Sequence, residues 1–258
     1  GLHLIGNDYA ESGHFTLLYP FWMLVRPLAG GYTGMPQAGR SAAIEHLQAW
    51  PWHYQSGPPR AKAKTISNGK NAAMRLYTFT ITPNNRKVEA FVRHFDLPVE
   101  IHHVSFKDRE TQSPEYLAIN PMARVPALAD GDFRLWESNA ILTYLATLFP
   151  QTKALPTDPR GRADADRWLH WQSCHLMPAM GALKVSDEKD IGAVTPLLRV
   201  LDQQLRGREY VLGQLTVVDF AICAYLITKM GRKLDYTECP NVAAWLARME
   251  NLKGFVET

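Results

Sequence analysis

Thr82 and Asn84 lie two residues apart in "TFTITPNNRKVEAF", residues 78–91, where a β-branched run stops at Pro83 and an amphipathic segment begins. A threonine hydroxyl is neither a base nor a ready anion near pH 7. The chemistry open to it is hydrogen-bond donation to an anion, with Asn84 as a second donor or as a residue that fixes the loop. The plainer reading is a turn residue that caps the following helix through its hydroxyl. A second group, Arg124-Val125-Pro126 and Glu137-Ser138, flanks a short strand pair. X-Pro is the one bond at which a cis peptide is cheap, within about 0.5 to 1 kcal/mol of trans, although "VPAL" also reads as an edge strand that begins with proline. Ser138 stands where a strand gives way to a helix and reads as its N-cap. A capping box would place Glu or Gln at the third helical position, and Ile141 stands there instead. The first N–H groups are therefore open to a ligand carboxylate, which the helix dipole favours. Arg124 by itself reads as a solvated surface charge.

Regular elements must hold these residues. "MRLYTFT" (74–80) reads as a strand. "NRKVEAFVRHF" (85–95) places Val88, Phe91, Val92 and Phe95 on one helical face, and "LPVEIHHVSF" reads as a second strand. The pattern is a βαβ unit with parallel strands and a right-handed crossover. A short helix at "PEYLAIN" follows, then strands at "RVPALAD" and "FRLWES" joined by the turn "DGD", and a helix "NAILTYLATLF" ended by Pro150. After a linker at 151–161, strand signals nearly vanish. "RADADRWLHWQSCHLM", "GAVTPLLRVLDQQLRG", "TVVDFAICAYLITKMG" and "NVAAWLARMENL" all carry helical periodicity. In the third of these, Thr216-x-x-Asp219 is the capping-box pattern and belongs to folding. The expected architecture is an α/β domain at 74–150 in the order β-α-β-α-β-β-α, followed by an all-α domain at 162–258.

Residues 1–73 hold 9 Gly and 6 Pro against 8 and 11 in the remaining 185, and no long apolar period. They read as an irregular or disordered extension, or as sequence upstream of the true start; a targeting arm is the less favoured reading, because glycine and proline are dense there. The net charge of +3 is too small to argue for nucleic acid. The apolar stretch at 15–25 contains Pro20 and is too short to span a bilayer. Three widely spaced cysteines fit a reducing compartment, hence the cytoplasm, and neither a disulfide framework nor a zinc site. No close His/Cys cluster or Gly-rich phosphate loop supports a metal or nucleotide.

From Val125-Pro126, Glu137-Ser138 and "LTVVDF" (215–220), in this order and separation, residues 74–258 resemble the cytosolic glutathione transferases, which have a thioredoxin-like first domain and a helical second one. The resemblance implies a cis Pro126 that turns the backbone of Val125 outward to pair with glutathione as an added strand would. It also implies that Ser138 and the helix start take the γ-glutamyl α-carboxylate, that Glu137 pairs with the α-ammonium, and that Arg124 faces the peptide. Thr82 falls where such enzymes carry the group that activates the thiol. With no cysteine in residues 1–173, the thiolate-bearing branches and the thioredoxins are excluded. Thr82-Pro83-Asn84 resembles the bacterial nu class, associated with disulfide reduction as well as conjugation, and "RWLHWQSCHLMPAM" resembles part of its helical domain. Asn85 departs from that class, where glycine is usual.

Lowering a thiol pKa by two units from about 8.5 requires ~2.7 kcal/mol. A hydrogen bond to a charged group supplies ~1.5–3 kcal/mol and a helix N-terminus ~0.3–1, so one hydroxyl and one helix end suffice. The resemblance thus implies a glutathione transferase-like enzyme of detoxification type, homodimeric as the family usually is, with glutathione as co-substrate and no other cofactor. Its second substrate, a small electrophile or disulfide, is expected between the domains; Trp168, Trp171, His175 and Tyr225 are either pocket or core, and Cys174 is expected to be a packed small hydrophobe. The alternative is a non-catalytic module that uses the same fold for binding or assembly.

Overall fold

A period-two alternation opens the described residues: in Arg75–Thr78 (β1), Leu76 and Thr78 turn inward and are fully buried. The structure, a computed structural model, describes residues 74–79, 82–183 and 192–258. The expectations for 1–73 lie outside the described residues.

The chain enters helix α1 (Pro83–His94) at a proline, whose fixed φ and missing N–H suit a first helical position. The helix therefore begins before residue 85, and Asn84 and Asn85 belong to its first turn. Strand β2 (Glu100–His103), helix α2 (Pro114–Leu117), strands β3 (Ala127–Asp130) and β4 (Phe133–Trp136), and helix α3 (Ser138–Leu148) follow in the expected order. The sheet runs β2-β1-β3-β4. β1 and β2 are parallel with Leu76 opposite Ile101; β3 pairs antiparallel with β1, Leu128 opposite Leu76, and with β4, Ala127 opposite Trp136.

The remaining described elements are helical: α4 (Pro159–Trp171), a π turn at Gln172–Leu176, α5 (Met177–Ala182), α6 (Thr195–Leu205), α7 (Val217–Leu226), α8 (Pro240–Glu250) and α9 (Lys253–Val256). Helix α4 starts earlier than its apolar period suggests, because Asp158 caps it by accepting from Gly161 N. Every residue of α7 is buried, as its nearly continuous apolar sequence requires. The Thr216–Asp219 box forms as read, and Asp219 also accepts from Val211 N (2.9 Å) and Trp245 Nε1 (3.0 Å).

One apolar core runs from Leu76 and Leu128 of the sheet through Phe91 of α1 to Phe220 and Ile222 of α7. Phe91 meets Phe220 edge-on at 5.3 Å. Helix α9 packs on α1 with Gly254 against the Ala90 carbonyl, an approach that a Cβ would block. This packing sets the first turn of α1 against α7, which decides the shape of the site.

Candidate active site

Three loops converge at the C-terminal end of β1. Thr82 is the N-cap of α1 by backbone geometry, and its carbonyl accepts from Asn85 N (3.0 Å) and Arg86 N (2.9 Å). Its hydroxyl does not cap the helix; it accepts instead from the side-chain Nδ2 of Asn85. The simple capping reading of Thr82 is thereby corrected: the hydroxyl oxygen is held off the backbone by a buried amide. Asn84, two residues on, offers its Oδ1 to two hydroxyls, Tyr225 Oη at 2.8 Å and Ser138 Oγ at 3.2 Å. Its Nδ2 is thereby turned outward, with the Met177 sulfur at 4.0 Å.

The second loop carries Arg124, Val125 and Pro126. The Val125-Pro126 bond is cis. Arg124 O accepts from Tyr116 Oη and Asn120 Nδ2, both at 2.7 Å, which pins the chain from behind. Among the described residues, no hydrogen bond engages the N–H or C=O of Val125, so both are open to an extended ligand. The Arg124 side chain is exposed.

The third loop joins β4 to α3, and here one expectation is corrected. Glu137 is the N-cap, with φ at 73°, and Ser138 is the first helical residue. Ser138 has helical backbone, so its hydroxyl is released from capping and points to Asn84. The open helix start survives the correction: the first helical bond runs from Ile141 N to Glu137 O, leaving the earlier N–H groups without intrahelical partners.

A cavity of about 260 Å³ brings Asn84, Arg124, Val125, Pro126, Glu137 and Ser138 together. A smaller one of about 220 Å³ is lined by Thr82, Pro83, Asn84, Met177, Met180 and Tyr225. Asn84 and Met177 belong to both. All seven residues expected from the sequence thus border one pair of adjoining cavities.

Behind Ser138 lies a buried polar cluster that sequence reading missed. Lys87 of α1 is 1% exposed; its Nζ donates to Asn139 Oδ1 (2.6 Å) and Gln172 Oε1 (3.1 Å). Burial pushes its ammonium down to about 7, with the Glu137 charge opposing. Asn139 also donates to Ser173 Oγ at 2.9 Å. A lysine next to Val88 and one turn before Phe91, beside the apolar face of α1, was the available signal. Burial likewise pushes the Tyr225 phenol up to about 12, so it is a neutral donor near pH 7.

The aromatic stripe behaves differently. Trp168 is buried, Trp171 half-buried and His175 exposed, and none of the three borders either cavity; of the residues named with them only Tyr225 does. Cys174 is exposed, contrary to the expectation of a packed residue. Trp168 and Trp171 lie in α4 ahead of the π turn at Gln172–Leu176, whereas the turn itself carries Cys174 and His175 and breaks the 3.6-residue period that would align His175 with the two tryptophans. Met177 and Met180, beyond the turn, take the place by the cavity.

A family model described as "Glutathione S-transferase, N-terminal domain" matches residues 72–147. The chain is 32% identical over 171 residues to glutathione S-transferase 1 of Schizosaccharomyces pombe, covering 60% of this chain and 75% of that one. It is 29% identical over 182 residues to glutathione S-transferase D7 of Drosophila melanogaster, covering 66% and 81%. Among solved structures, a glutathione transferase of Burkholderia graminis with two glutathione molecules bound per subunit is similar at 30% identity and a TM-score of 0.63, over 72% of this chain and 86% of that one.

Proposed function

The chain belongs to the glutathione S-transferase family, and from that premise we propose that it binds glutathione as the thiolate and directs it at a small electrophile or disulfide. The observation that carries this reading is the sharing of Asn84 by the two cavities, one polar and open to a peptide, the other small and lined by methionines.

In this reading glutathione lies along the Arg124–Pro126 loop and pairs with the main chain of Val125. Its α-carboxylate meets the free N–H groups at the start of α3 beside Ser138, its α-ammonium meets Glu137, and Arg124 faces its far end. The sulfur then sits over the first turn of α1. The Thr82 hydroxyl and Asn84 Nδ2 donate to it, and the helix dipole adds to both. Two donors to an anion, at ~1.5–3 kcal/mol each, exceed the ~2.7 kcal/mol that two pKa units require. Tyr225, with its raised pKa, is no base; it holds the Asn84 amide in register.

The thiolate attacks an electrophilic carbon, or one sulfur of a disulfide, and the leaving group departs with the electron pair of the broken bond. The methionine-lined cavity is the proposed seat of that second substrate. Disulfide exchange, which the Thr-Pro-Asn turn suggests, and conjugation share this step. We further read the protein as a cytoplasmic homodimer of bacterial type serving detoxification. Among the described residues, no helix is long and apolar enough to cross a membrane, and no group of three or more His, Cys, Asp or Glu is disposed to hold a metal.

The test is an ultraviolet titration of bound glutathione from pH 5 to 10, following thiolate absorbance in wild type and Thr82→Ala. The expected result is a thiol pKa depressed by about two units in wild type and partly restored in the variant. Saturable binding without depression would replace the enzyme reading with that of a binding module.

A further inference from the structure

We propose that Asn85 is a positioning residue that sets the direction in which the Thr82 hydroxyl donates, with Thr78 holding Asn85 in place; the role rests on the reading of Thr82 as a donor to the glutathione sulfur. Asn85 is 1% exposed, and no apolar-face argument accounts for an amide buried there. Thr78, fully buried on β1, donates from Oγ1 to Asn85 Oδ1 at 3.4 Å, the longer link. Asn85 Nδ2 donates to Thr82 Oγ1. The two bonds run in one sense, from strand to helix to site, and each polarises the next.

The physical need for this chain lies in what a threonine does at a helix start. Left alone, its hydroxyl swings onto the backbone N–H of the second or third helical residue and caps the helix. In this structure Asn85 N bonds the Thr82 carbonyl instead, and Asn85 Nδ2 occupies the hydroxyl oxygen. The Thr82 main chain is fixed as well, its N–H donating to Phe79 O at 3.4 Å. Rotation about the hydroxyl bond is the freedom left, and with a lone pair engaged by Asn85 the proton is directed at the cavity that Thr82 borders. Asn85 itself borders neither cavity and touches the sulfur only through Thr82.

The test measures the thiol pKa of bound glutathione in wild type, Thr82→Ala, Asn85→Ala, Asn85→Asp and Thr78→Val, with thermal melts to establish folding. Asn85→Ala should raise the pKa by about half the Thr82→Ala effect, because the hydroxyl returns to capping. Asn85→Asp should raise it at least as far as Thr82→Ala, since a carboxylate accepts the Thr82 proton and turns it inward. Thr78→Val should give a smaller rise. A thiol pKa that stays at the wild-type value or falls in Asn85→Ala, while Thr82→Ala raises it, overturns the proposal and leaves Thr82 in place. Should neither Asn85 variant fold, an unshifted pKa in Thr78→Val overturns it equally. A pKa unmoved by Thr82→Ala overturns the Thr82 reading itself, and the role of Asn85 with it.

Discussion

The Tyr225 hydroxyl donates to Asn84 Oδ1 across 2.8 Å and so ties the buried helix α7 to the first turn of α1. Ser138 shares that acceptor, and together the two hydroxyls decide which end of the Asn84 amide faces the cavity. Tyr225→Phe removes the stronger constraint while keeping the ring. A lost hydrogen bond of ~1–1.5 kcal/mol corresponds to a roughly 5- to 12-fold fall in kcat/KM. The expected bound-thiol pKa lies between wild type and Thr82→Ala. Steady-state kinetics beside the thiolate titration would check this; a pKa above that of Thr82→Ala would make Tyr225 the principal donor.

Glu137 is exposed and is assigned to ground-state binding of the glutathione ammonium. Glu137→Gln should therefore raise KM for glutathione about 5- to 10-fold with kcat within about twofold, the signature of uniform binding. A fall in kcat at constant KM would move Glu137 from binding into the chemical step.

Lys87 makes a pH prediction. Burial brings its folded-state pKa from 10.5 to about 7, whereas the unfolded chain keeps the proton until about 10.5. Between these values the unfolded state binds more protons, so stability rises with pH. The burial penalty is complete below about pH 7 and is relieved as pH climbs towards 10.5. Denaturant unfolding of wild type and Lys87→Met at pH 6 and pH 9.5 should show wild type gaining on the order of 3 kcal/mol relative to the variant. A difference that is constant across that range would mean Lys87 stays charged in the fold.

Asp219 separates folding from chemistry. Its carboxylate accepts from Val211 N, Thr216 N, Thr216 Oγ1 and Trp245 Nε1, joining the start of α7 to α8 and to the loop before it. Asp219→Ala orphans these buried donors and should cost at least about 3 kcal/mol. At a temperature where the variant remains folded, its bound-thiol pKa should match wild type; a shifted pKa would show that α7 reaches the site through more than Tyr225.

Much of this arrangement is legible without coordinates. The alternation in Arg75–Thr78 and the one-sided apolar period of α1 produced the βαβ order, since both patterns arise from residues a few positions apart. Val125-Pro126, Glu137-Ser138 and Thr82-x-Asn84 mark places where a strand must turn. The errors were equally local in origin. Ser138 is not the cap because its own backbone is already helical, with the first helical bond running from Ile141 N to the carbonyl of Glu137. His175 turned outward because the π turn broke the 3.6 period on which its placement relied, and Cys174, expected inside for its residue type, is exposed within the same turn.

The sequence by itself determined the order of the elements, because each is announced by its immediate neighbours, and its spaced motifs carried the resemblance that singled out the seven residues bordering the paired cavities. Only the tertiary structure decided how these residues are aimed. The bond between Tyr225 and Asn84 joins positions 141 apart, and the contact of Lys87 with Gln172 joins positions 85 apart. No periodicity encodes such pairs; they exist because α1 is packed between the sheet and α7 in one core, which buries amides and hydroxyls where each must find a partner in another element.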